Sequence, residues 1–381
     1  MRPKMMEIFD GLVGEGTVKL KEAKEQGRKA VGTYCAYSPF ELIEAAGAIP
    51  LCLCGTKDKP IPEAEKELPR NLCPLIKSSY GFAITDTCPF FFFSDLLIAE
   101  TTCDGKKKMY ELMNRIKPML ILELPQKPND EDARKHWLAE IKKTKIVIEE
   151  RLGVEITEDR LRAAIKLMNE ERKTLKDLYA YCKKAQSPIS GLDIHIVLAS
   201  KGFQIDRKDY LQKLRDLMAE LDQRIVDGKF VTGPDAPRIL VTGCPTGNGS
   251  EKVLRLVEEA GGLVVCQESC NGYRPLDLLV DEEKDPLEAI AEKYLNIPCS
   301  CMTPNEGRFQ LIEKLIKEYN VQGVIDLTWQ ACHTYNIESF RVRELVRDKL
   351  GLPFLHLESD YGESDLQQLK VRIDAFLEMV K

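Results

Sequence analysis

The chain has 381 residues, 44% of them hydrophobic and 30% charged, the composition of an ordinary folded protein with room for two or three domains. Its 61 acidic against 55 basic side chains give a formal charge of -6, which argues against a general attraction to nucleic acid or to an anionic bilayer. Residues 1–10 hold no apolar core of a secretion signal, and no later stretch nears the roughly 18 apolar residues of a membrane span, so a cytoplasmic protein with no membrane partner is expected.

In chain order, Ser38-Pro39-Phe40-Glu41 reads as a capping box with proline at the first helical position, opening a helix that stops at Gly47. Short apolar runs at 48–54, 95–101 and 118–124, bounded by turn residues, predict buried parallel strands. From 129 onward the pattern turns helical, with Leu161, Ile165, Met168 and Leu175 three and four residues apart, and it ends at the turn-rich 232–237. Strand patterns resume at 238–242, 262–267, 321–328 and 352–358. The fold expected is α/β: a first α/β domain over 1–128, a helical domain inserted over 129–231, and a second α/β domain over 232–381, both α/β units being Rossmann-like with parallel sheets.

The two α/β segments read as diverged copies. Gly32-Thr33-Tyr34-Cys35 resembles Thr242-Gly243-Cys244-Pro245; Cys54 falls opposite Cys266 or Cys270; Leu72-Cys73-Pro74 falls opposite Ser300-Cys301-Met302; and Thr102-Cys103-Asp104-Gly105 falls opposite Ala331-Cys332-His333-Thr334. Thirteen cysteines are many for a reducing compartment, and their odd number and wide spacing argue against a disulfide framework. Cys52 and Cys182 read as packing residues. The others concentrate at strand-to-loop and loop-to-helix junctions, where ligands bind in doubly wound sheets and where helix-start amides stabilise thiolates.

Paired Cys-x2-Cys modules of zinc ribbons are absent, as is the closely spaced ferredoxin run, so spacing leaves iron-sulfur and zinc both open. No Walker loop occurs. His136 and His195 read as structural, whereas His333, directly after Cys332, is a candidate for orienting a substrate or passing a proton. Lys106-Lys107-Lys108 is either a solvated face or a counter-charge to an anionic cluster, and the Phe90 to Phe93 run reads as core or as the dry wall of a redox site.

Asn71-Leu72-Cys73-Pro74-Leu75-Ile76-Lys77-Ser78-Ser79-Tyr80-Gly81, Thr101-Thr102-Cys103-Asp104-Gly105-Lys106-Lys107-Lys108 and Gln330-Ala331-Cys332-His333-Thr334-Tyr335 resemble the 2-hydroxyacyl-CoA dehydratase component D superfamily over nearly the full length. That resemblance implies Cys73, Cys103 and Cys332 as ligands of one cubane of four irons and four sulfurs. The further cysteines are similar to the double-cubane branch, which implies an [8Fe-9S] cluster on six cysteines, a homodimer, and electrons from a separate ATP-hydrolysing iron-sulfur reductase. For the second cubane the choice falls on Cys244, Cys270 and Cys301, with Cys35 and Cys299 as alternates. The resemblance further implies an oxidoreductase of anaerobic metabolism that reduces a small molecule such as acetylene, azide or hydrazine at low potential. Two rivals stand beside it: a dehydratase subunit with a single [4Fe-4S] cluster, acting on a 2-hydroxyacyl-CoA through a ketyl radical, and a non-catalytic zinc-binding or scaffold protein.

Overall fold

A computed structural model describes residues 2–380. Two four-stranded parallel sheets carry the fold. The first contains β1 (Ala30–Thr33), β2 (Ile49–Cys52), β3 (Leu96–Glu100) and β4 (Met119–Leu122) in the order β2-β1-β3-β4. The second contains β5 (Arg238–Gly243), β6 (Leu263–Glu268), β7 (Gly323–Trp329) and β8 (Phe354–Ser359) in the order β6-β5-β7-β8, the same topology repeated. The β1, β3, β5, β6 and β7 residues are buried throughout, as strands covered by helices on both faces must be, and this is why they read as continuous apolar runs.

Between the sheets in sequence lie four long helices, Glu131–Leu152, Glu158–Ala180, Gly191–Lys201 and Arg207–Val226. Each starts on a side chain that accepts a hydrogen bond from a first-turn amide: Asp130, Thr157, Ser190 and Asp206. The second of them fastens both sheets to the helical layer. Its Arg172 pairs with Glu41 at 2.6 Å beside the first sheet, and its Asn169 amide bonds the Val280 carbonyl of the second unit at 2.8 Å.

Two local expectations are corrected. The helix after Ser38 spans Phe40–Ala45, and the residue capping it is Pro39, with no side-chain hydrogen bond. Ser38 donates instead to buried Glu100, and Glu41 turns inward to Arg172 and Tyr294, so both halves of the capping box serve tertiary contacts. Strand β1, short and interrupted by Gly32, lacks the apolar run that marks its neighbours. Gly32 has a packing reason, since a Cβ there would lie 2.2 Å from Leu53 Cδ1 and 2.8 Å from Leu97 Cδ2.

Candidate functional site: two groups of thiols at the strand ends

The repeated topology puts cysteines at matching stations. Cys35 and Cys244 follow β1 and β5, Cys54 and Cys270 each lie two residues past β2 and β6, and Cys103 and Cys332 each lie three residues past β3 and β7. Cys73, Cys103 and Cys332 immediately precede helices, where free amides stabilise negative charge.

In the first group, the Cys332 sulfur accepts hydrogen bonds from the Cys244 and Cys73 thiols, and also from the Tyr335 amide and the Thr334 hydroxyl, which hold its pKa down to about 3. Cys244 and Cys73 are correspondingly pushed up, Cys244 chiefly by burial and Cys73 chiefly by its bond to Cys332. Further donors face these sulfurs: the Trp329 amide lies 3.4 Å from Cys244, and the Leu75 and Ile76 amides serve Cys73. Ala331, just before Cys332, sits in the left-handed region at φ 61°, a conformation costly for alanine that turns Cys332 back from the strand.

The second group gathers Cys299, Cys301, Cys35 and Cys270. Cys299 is held well below the usual thiol range by a hydrogen bond from Cys301, by the charge of Arg274 and by the Tyr335 hydroxyl at 3.6 Å. Tyr37 Oη lies 3.7 Å from the Cys301 sulfur, and the Cys35 amide, at φ 77°, points to Cys54 at 3.4 Å. Burial pushes Cys270 up to about 12. Tyr335 joins the groups, with its amide on Cys332 and its hydroxyl beside Cys299.

Of the candidate ligands, Cys73, Cys244 and Cys332 are thus in mutual reach, as are Cys270 and Cys301 with the alternates Cys35 and Cys299. Cys103 accepts a hydrogen bond from the Lys106 amide at 3.5 Å and shares the field of the Lys106 ammonium with Cys35 and Cys54. The three lysines divide. Lys107 and Lys108 are exposed and pair with Asp104 and Glu111, while burial works against the Lys106 charge and Cys35, Tyr110, Cys54 and Cys103 outweigh it. His333 is exposed at the helix start. Tyr37, Tyr335, Arg274 and Cys54 join the site without having been singled out as site residues; only Cys54 carried a signal, its place in the repeat. Among the described residues, no group of three or more His, Cys, Asp and Glu side chains is arranged around a single metal ion.

The sequence profile of the 2-hydroxyglutaryl-CoA dehydratase D-component family matches residues 35–380. The chain belongs to this family. Among its D-component relatives, the putative dehydratase subunit YjiM of Escherichia coli (strain K12) is 44% identical over 99% of this chain and 98% of its own. The (R)-phenyllactyl-CoA dehydratase beta subunit of Clostridium sporogenes is 25% identical over 94% of each chain, and a benzoyl-CoA reductase subunit of Thauera aromatica is 21% identical over 98% of this chain and 96% of its own. As a D-component chain, this protein is an enzyme component. No described helix is long and apolar enough to cross a membrane.

Proposed function

We propose that this D-component chain is the cluster-bearing part of a low-potential reductase, holding an [8Fe-9S] double cubane on Cys73, Cys103, Cys332, Cys244, Cys270 and Cys301. The observation that carries the reading is the contact of Cys332 with both Cys73 and Cys244, because it makes the two ligand sets adjoin, as a bridged pair of cubanes requires. The donor set fits such a group chemically: soft thiols, several sulfur-directed amides, and one sulfur already stabilised as thiolate. When bound, the cluster supplies one-electron chemistry at low potential. The chain's own residues do the rest. Tyr335 and Arg274 fix Cys299 between the sets, the Lys106 and Arg274 charges offset thiolate charge, and buried Tyr37 and Trp329 keep water from the sulfurs.

A homodimer that accepts electrons from a separate ATP-hydrolysing iron-sulfur reductase completes the proposal, in keeping with relatives that are named as subunits. The dehydratase reading with one [4Fe-4S] cluster draws support from the same relatives. Iron and acid-labile sulfide on protein purified without oxygen separate the two. About eight irons per chain supports the double cubane, about four the single cubane, and zinc without iron sinks both.

A further inference from the structure

A cavity of about 630 Å³, in the size range of small-molecule sites, opens between the ends of β1 and β2 and the helical layer. Cys35, Cys54 and Cys270 border it, and so do the aromatic rings of Phe40, Phe90 and Phe203, the last two with centroids 4.5 Å apart. The charged residues of its wall are unbalanced, with Lys57, Lys59, Arg172, Lys201 and Lys293 against Glu63 and Glu171.

The imbalance is sharpest at the buried end. Arg172 is paired with Glu41 at 2.6 Å, and Arg207, behind the wall, is paired with Glu171 at 2.6 Å and Glu44 at 3.3 Å. These two guanidiniums therefore use all three carboxylates. Lys201 and Lys293 remain, and among the described residues neither has a hydrogen-bond or ion-pair partner. Lys293 is only 4% exposed, with its ammonium 4.1 Å over the Tyr294 ring. Four cations against three carboxylates leave one positive charge in an otherwise largely apolar chamber, and a buried charge without a partner is costly. Burial and the nearby Arg172 accordingly press Lys293 toward losing its proton, and burial does the same to Lys201.

We infer that this cavity binds a small monocarboxylate, its carboxylate taken by Lys293 and Lys201 and its hydrocarbon part lying along the aromatic wall toward Cys270 and Cys54. A single missing negative charge matches a carboxylate and not a phosphate dianion. The anion site is a property of the protein alone; only the statement that the far end of the ligand faces a redox centre rests on the proposed function.

The test is calorimetric titration of anaerobically purified protein with acetate, butyrate, hexanoate and phenylacetate, each against its neutral amide, and with inorganic phosphate. The expected result is saturable one-to-one binding of at least one carboxylate, tenfold or more weaker binding of its amide, and a tenfold or greater loss in both Lys293→Met and Lys201→Met. Iron per chain should be unchanged in both variants. Absence of saturation by every carboxylate, equal binding of acid and amide, tighter binding of phosphate, or undiminished binding in the variants would each overturn the inference. Lys293→Gln serves should Lys293→Met not fold. Carboxylate binding on a chain that never holds iron would leave this site standing and remove the proposed function; eight irons with no carboxylate binding would do the reverse.

Discussion

Strands β2 and β6 occupy the same outer place in their sheets, yet β2 ends in Cys52 and β6 in Glu268. Around Glu268 the second unit builds a closed polar network: Arg274 at 2.5 Å, Arg308 at 3.2 Å and the Thr242 hydroxyl at 2.5 Å, with both guanidiniums fully buried. The first unit has nothing comparable at Cys52, where Gly202 lets the next layer approach so closely that a Cβ would lie 2.7 Å from the sulfur, and the space beyond is cavity. One copy of the topology is locked by ion pairs and the other is left open. The second unit thus serves as the rigid wall of the thiol layer and the first as its accessible side.

The strongest way to break this contrast is Arg274→Ala, which leaves Glu268 short of a partner and frees Tyr335 and Cys299. A loss of about 3 kcal/mol in denaturant unfolding is expected, and a loss below about 1 kcal/mol would mean that the network does not act as a lock. Next is Glu100→Gln in the first unit. Burial raises this carboxyl from 4.5 to about 8, against the Ser38 hydrogen bond and the Lys106 charge. The folded chain therefore keeps a proton that the unfolded chain releases, so stability falls as pH rises through the window from 4.5 to about 8. Removing the carboxyl should flatten that slope by up to about 1.4 kcal/mol per pH unit, measured by unfolding across the window.

Lys106→Met probes the open side electrostatically. Loss of its enclosed charge should move the midpoint potential of the bound cluster downward by on the order of 60 mV, a tenfold change in a one-electron equilibrium, while exposed Lys107→Met should leave it in place; equal shifts would undo the distinction between the two lysines. The smallest effect is expected for His333→Ala. With the imidazole exposed, stability should change by less than about 0.5 kcal/mol and iron content not at all, so a fall in turnover alone would show that His333 meets substrate.

Much of the fold was legible because parallel strands covered on both faces need continuous apolar runs, as at Leu96–Glu100 and Gly323–Trp329. Short Ala30–Thr33 escaped because four residues containing a glycine form no such run. Ser38 and Glu41 misled for a related reason: spacing predicts a local hydrogen bond, but buried Glu100 and Arg172 compete for the same groups and win. The stations of the cysteines followed from the repeat. Their grouping did not, because the approach of Cys244 to Cys73 depends on how two sheets face each other, and no periodicity records that. Tyr335 and Tyr37 were invisible for the same reason, each reaching a sulfur far away in sequence.

The contact of Cys73 with Cys244 and Cys332 also bears on how the protein is made. A ribosome that has finished the first sheet and the helical layer has released Cys73 but neither of its partners, so no shorter nascent chain contains this thiol set. Loading of the centre must therefore follow synthesis of nearly the whole polypeptide, and until then the early cysteines need a reducing environment or a protecting escort.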